Sequence, residues 1–333
     1  MRINIKNNKT YSAEEIRRAN DIANPALDKI WAMQWLSDCI HKKDEAKIET
    51  YNEYVSTLTQ TYEVILVVAG REERASIKAV IDLFDPKEGY PEIVFMPLNF
   101  SISDYASVLR RLENKTVALL AVSIMGESLE LRCAYSVAKH FVTSQANKAK
   151  ISPEICVIYS ERSRTIKEDA FENEYTKIEV SHRTDPSYLA NTDPVIFILK
   201  LMGADVEAYI RGFYDCVSAP EWDTNLPLIA YRMIEFENKG IIVESWQKEY
   251  EEIAKWFARP DIRASHRQIQ MPSPSLDNEC LRICIGGREA YEDLMTPSFD
   301  GCDEDGSLQL LLNRAIWPLP LPSKVNNQMC CSK

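Results

Sequence analysis

Three apolar β-runs, each followed by an amphipathic helical stretch, are the strongest constraint on the fold of this chain. Val64–Val68 leads to Ser76–Phe84, Ile93–Met96 to Ser103–Leu112, and Val117–Val122 to Glu127–Val142. The runs are continuous rather than alternating, so both faces of each strand must be covered. Strands of that kind separated by helices predict a parallel, doubly wound α/β sheet flanked by helices. Two more strands are expected at Ile155–Tyr159 and Thr176–Val180. Ligands on such sheets bind beyond the carboxyl ends of the strands.

Residues 116–135 bear most directly on function. Val117–Val122 ends in Ser123, turns through Gly126 and enters an expected helix at Glu127. A strand, a small hydroxylated turn and a helix N-terminus form a natural anion site, because backbone N–H groups and the positive end of the helix dipole face the ligand. Here the turn carries Ile124, Met125 and Glu127, where small or hydroxylated side chains would suit a phosphate. Glu127 is read as a first-turn acid stabilising its own helix. A carboxylate about 5 Å from a bound phosphate would cost roughly 1–3 kcal/mol per unit of phosphate charge.

On either side of this core, residues 12–60 read as helical. Ser12 is the expected N-cap with Glu14 and Glu15 in its first turn, and Trp31, Met33, Trp35 and Leu36 are apolar anchors. Residues 187–216 read as apolar helix, closed by Gly203 with Asp205 as the next N-cap. Further on, Thr224–Glu237 and Ser245–Phe257 read as helices around a strand at Ile241–Glu244. Beyond Arg259-Pro260 only a strand at Leu281–Ile285 and a helix at Ser307–Ile316 stand out from a proline- and acid-rich tail. The expected organisation is an N-terminal helical segment (1–60), a first α/β domain (61–204), a helical connection with the start of a second (205–260), and a reduced remnant with an extended tail (261–333).

Composition narrows the function classes. With 39 Lys+Arg against 50 Asp+Glu, the net charge of −11 disfavours nucleic acid and anionic membranes as partners. No apolar run approaches about 18 residues, so no membrane span is expected. The opening MRINIKNNKTYSAEE lacks a signal-peptide core, and the cytoplasm is the expected compartment. The nine cysteines include no CxxC pair and read as reduced thiols. Cys39 and His41 have no second pair at ligand spacing, so no metal and no cofactor is expected. The terminal Cys330-Cys331-Ser332-Lys333 lacks the aliphatic residues of a prenylation box.

Taken in order, several passages resemble the bacterial type of glucose-6-phosphate isomerase, a family built from two sugar-isomerase (SIS) domains. These are 33–70, 90–130 with its turn Asn99-Phe100-Ser101-Ile102-Ser103, 187–212 and 230–257. The resemblance implies an aldose–ketose conversion of glycolysis and gluconeogenesis through an enediol. That chemistry needs a phosphate cradle, a carboxylate base and a cation over the oxyanion. The family's Gly-Ile-Gly-Gly-Ser loop falls on Ala69-Gly70-Arg71-Glu72-Glu73, and its Ser-Lys-Ser-Gly-Thr-Thr phosphate loop on Ser123-Ile124-Met125-Gly126-Glu127-Ser128. Its Gly-Gly-Arg element falls on Asp185-Pro186-Ser187, and its Gly-Glu-Ser-x-Gly-Lys turn, which carries the base, on Ala258–Arg263.

Ser123, Gly126, Ser128, Gly70 and Arg71 are therefore the candidate ligand-binding residues for a phosphosugar. Asp261 and Arg183 are the candidates for the missing base and arginine. With four elements altered, the expected function is a degenerate, non-catalytic member with a binding or scaffold role. The alternatives are an active isomerase using displaced residues such as Arg71, Glu73, Arg183 and Asp261, and a sensor of another sugar derivative or nucleotide. The charged run Arg71-Glu72-Glu73-Arg74 reads as a solvated helix start. Members of that family are usually dimers, and the apolar helices at 195–216 would supply a homodimer surface.

Overall fold

The computed structural model describes residues 4–5, 12–19, 21, 45–181, 184–211, 241–245, 250–256, 281–285 and 297–298. The chain divides into two compact units, residues 37–207 and residues 1–36 with 208–333. Those limits differ from the sequence-based boundaries at 60/61, 204/205 and 260/261.

In the unit spanning 37–207, helix α1 (Glu45–Thr61) leads into strand β1 (Val64–Ala69) and helix α2 (Arg71–Ile81). Strand β2 (Glu92–Phe95), helix α3 (Ile102–Leu112), strand β3 (Val117–Ser123) and helix α4 (Leu129–Ala149) follow. Strand β4 (Ile155–Tyr159), helix α5 (Thr165–Glu172), strand β5 (Thr176–Glu179) and helix α6 (Asp193–Leu201) complete it. All five strands are parallel in the order β2-β1-β3-β4-β5, with Val64 opposite Val117 and Leu119 opposite Ile155. Every residue of β1, β3 and β4 is buried, as continuous apolar runs under helices on both faces require. The strand order reverses between β1 and β3, which opens a crevice at their carboxyl ends.

Several helix starts differ from expectation, and at α3 and α4 a capping serine explains the difference. Helix α2 begins at Arg71 rather than Ser76, with Gly70 as N-cap and Glu72 and Glu73 in its first turn. Helix α4 begins after Ser128, whose hydroxyl accepts the Leu131 N–H at 3.2 Å; Glu127 therefore lies outside it. Ser101 caps α3 in the same way, accepting from Asp104 at 3.3 Å. Residues 187–192 form turns rather than helix, and α6 starts at Asp193 with Pro194 in its first turn. Gly203 (φ +76°) closes that region tightly, since a Cβ there would meet the Tyr90 ring at 2.8 Å.

Helix α1 is fastened to α6 and the sheet by two tyrosines. Tyr51 donates its hydroxyl to the Asp193 carboxylate and meets the Phe197 ring edge-on at 5.7 Å. Tyr54 stacks on Phe197 at 6.0 Å and donates to Glu154 at 2.6 Å. Burial, then the nearby carboxylates and the Cys156 thiol, push both phenols far above their ordinary range.

In the other unit, strands β6 (Ile241–Ser245) and β7 (Leu281–Ile285) pair in parallel, joining two segments that the sequence-based organisation places in separate regions. Asn4–Ile5 and Pro297–Ser298 form a short antiparallel pair. Near the N-terminus Ser12 caps as expected, its Oγ accepting the Glu15 N–H at 3.2 Å, and Glu15 reciprocates, its Oε2 accepting the Ser12 N–H at 2.9 Å. The expected helices at Thr224–Glu237 and Ser307–Ile316, and the anchors Trp31, Met33, Trp35 and Leu36, lie outside the described residues. Among the described residues no helix is long and apolar enough to cross a membrane.

Candidate functional site

The crevice between β1 and β3 contains a cleft of about 460 Å³. Gly70, Arg71 and Glu73 line one side; Met125, Gly126 and Ser128 line the other. The turn after β3 is shaped for an anion. Gly126 takes φ +109°, a conformation that favours glycine, and the Ile124 and Met125 N–H groups converge on one point.

That point is already occupied. Glu73 Oε1 accepts the Ile124 N–H at 3.1 Å and the Met125 N–H at 3.1 Å. Glu73 is 3% exposed, which corrects the reading of the 71–74 run as a solvated helix start. Its carboxyl is pushed up by burial; N–H bonds from its own backbone, Met125 and Ile124 pull it down, and Glu72 pushes it up further. Gly70 is what makes room for the group. A Cβ at position 70 would sit 2.2 Å from Glu73 Oε2, although the backbone there (φ −57°, ψ 165°) is ordinary for any residue.

Glu127 does not block this turn. Its Oε1 accepts the N–H groups of Arg164 at 3.0 Å and Ile166 at 2.8 Å, and its Oε2 accepts that of Thr165 at 3.0 Å. Helix α5 has Arg164 at its N-cap with no capping side chain of its own, so Glu127 fills that role from a neighbouring connection. The expectation of a first-turn acid serving its own helix is thus corrected. Ser123, expected beside a ligand, is fully buried and engaged with Ser163, whose hydroxyl lies 3.0 Å from Ser123 Oγ. Ser160 Oγ donates to the Ile124 carbonyl at 2.5 Å. The turn is therefore held from the β1 side by a carboxylate and from the β4 side by two serines.

Among the other predicted site residues, Gly70, Arg71, Gly126 and Ser128 share the cleft. Ser128 Oγ caps α4, and the Glu130 carboxyl is held below its usual range by its own backbone N–H, by Ser128 and by Arg71. Asp185, at the position of the family's Gly-Gly-Arg element, closes a local turn by accepting the Ser187 N–H at 2.8 Å. Arg183 and Asp261 lie outside the described residues. Among the described residues no cluster of three metal-ligating side chains occurs, and Cys133 and Cys156 are free thiols. Sequence reasoning named Glu73 but missed its partners; the signal was a glycine followed three positions later by an acid, opposite a second strand–turn–helix.

A larger apolar groove of about 740 Å³ lies at the amino ends of the strands, between α3 and α4, where Leu109, Phe141 and Ile151 line it.

No protein-family model matches the chain. The structure is similar to that of a hypothetical protein from Thermus thermophilus, with a TM-score of 0.75 at 10% identity over 95% of each chain. It is also similar to tagatose-6-phosphate ketose/aldose isomerase from Escherichia coli, with a TM-score of 0.54 at 12% identity over 93% of this chain and 95% of that one. The chain has a SIS-type α/β fold. At the level of sequence, 137 residues (41% of this chain) are 25% identical to glucose-6-phosphate isomerase of Mycoplasma genitalium. The match spans 31% of that relative's length.

Proposed function

We propose that this protein is a non-catalytic relative of sugar-phosphate isomerases, with a binding or scaffold role on a SIS-type frame. One observation carries the reading: the two N–H groups best placed to hold a substrate phosphate hold Glu73 instead. Phosphosugar isomerases anchor a dianion while a base moves a proton and a cation steadies the enediolate. Here the anchor is internally satisfied, and Glu72 and Glu130 add like charge to the same cleft. At high protein concentration, interconversion of fructose 6-phosphate and glucose 6-phosphate should stay at the uncatalysed level. Turnover proportional to protein overturns the reading.

A second reading is favoured by one feature, a buried carboxyl with a raised pKa in a cleft that also holds Arg71. Such groups are recurrent acid–base catalysts. On this reading the chain is an active aldose–ketose isomerase with Glu73 as its base. Turnover in the wild type that falls about 10²-fold or more in Glu73→Gln would select it over the first.

A further inference from the structure

We propose that Glu73 is an autoinhibitory ligand, and that inorganic phosphate or a phosphomonoester competes with its carboxylate for the Ile124 and Met125 N–H groups. The inference rests on reading the turn after β3 as an anion cradle. Three features of the cleft support it.

First, the cradle survives intact around its occupant: the Gly126 turn with φ +109°, two convergent N–H donors, and the start of the 21-residue helix α4 beside them. Second, the occupant is a single side chain on the first turn of α2 rather than a packed element. Displacing it requires rotation of one glutamate toward a cleft that is already open, with no strand or helix moved. Third, the carboxylate is held at a disadvantage. Its burial opposes the ionised form more strongly than the N–H bonds favour it, and rotation into water would restore its hydration.

The charged groups around the cradle decide how strong a competitor must be. Arg71 on α2 favours an incoming dianion; Glu72 on α2 and Glu130 on α4 oppose it, while Glu127 is committed to the start of α5. The wild type should therefore bind phosphate weakly, and loss of the Glu73 carboxylate should unmask the site.

Inorganic phosphate is titrated into the full chain, wild type and Glu73→Ser, by calorimetry and by the Met125 amide NMR shift. Glu73→Ser is expected to bind about tenfold or more tightly, the order expected from removing one like charge at hydrogen-bond range. Adding Arg71→Ala should erase the gain, which places the anion in this cleft. A folded Glu73→Ser protein with no tighter binding overturns the proposal. If that variant does not fold, Glu73→Ala, which also removes the acceptor, takes its place under the same criterion. The outcome is separable from catalysis: wild-type turnover refutes the non-catalytic reading, whereas an unchanged phosphate affinity refutes the competition alone.

Discussion

Glu127 and Ile166 are joined by a 2.8 Å hydrogen bond from the Ile166 backbone N–H to the Glu127 carboxylate. Through it, the turn that follows β3 caps the helix that follows β4. The neighbouring turn shows the same device in another place, with Glu73 of the first turn of α2 held by the backbone after β3. Adjacent connections at the carboxyl edge of the sheet are thus laced together by carboxylates that each accept several N–H groups.

Replacing Glu127 with alanine should destabilise the protein by about 1–2 kcal/mol, since the first turn of α5 loses the carboxylate that caps it. Thermal or urea unfolding measures it. Phosphate affinity should not improve in Glu127→Ala, because this carboxylate points to α5 rather than into the cradle.

Gly70→Ala should push the Glu73 carboxyl off the Ile124 and Met125 N–H groups, because the new methyl would overlap it, and should cost about 1–2 kcal/mol for the bonds lost. In a Glu73→Ser background the same substitution should be nearly neutral, as the backbone at residue 70 tolerates any side chain. A double-mutant cycle by urea unfolding checks the coupling. Equal costs in both backgrounds would show that the glycine is not there to admit the carboxylate.

Stability should respond to pH in opposite directions at two glutamates. The folded-state pKa of Glu73 is raised above 4.5 by burial, so its contribution is fully present below that value and declines as pH rises through the folded pKa. Relative to wild type, Glu73→Gln should therefore gain melting temperature as pH rises from about 4.5 through the folded-state pKa. At Glu63 the bonds from the Thr116 N–H and hydroxyl lower the pKa, so its contribution is present above 4.5 and is lost as pH falls through the folded value. Glu63→Gln should cost most at neutral pH and least in acid. Differential scanning calorimetry across the range reads both slopes.

Phe197→Ala should destabilise the sheet unit by about 3–5 kcal/mol, since the ring is fully buried between Tyr51 and Tyr54 and holds α6 against α1. Tyr51→Phe should cost about 1–3 kcal/mol by leaving the Asp193 carboxylate without its tyrosine donor. Chemical denaturation gives both values.

The strands were legible from the sequence because a parallel sheet covered on both faces demands unbroken apolar runs, and Val64–Val68 and Val117–Val122 supply them. Their observed limits, Val64–Ala69 and Val117–Ser123, differ by one residue. Helix starts were less legible. A residue such as Glu127 is equally suited to the first turn of α4 and to the position before its cap, and only Ser128 taking the capping role separates the two. Strand–turn–helix order pointed to Gly126 and Ser128, whereas Gly70 and Arg71 were named from the resemblance to the family's glycine-rich loop; all four line the cleft.

The alternation of apolar runs and amphipathic segments by itself determined the class of fold and the edge of the sheet where a ligand would sit, because side-chain periodicity is a local property. Tertiary structure alone decided which anion fills the cradle. The Glu73 carboxylate and the N–H groups it accepts are 51 and 52 positions apart, and they meet only because β1 and β3 lie side by side. A glutamate in the first turn of a helix looks the same in sequence whether water or a neighbouring backbone receives its charge; the packing of the adjacent strand chooses between them.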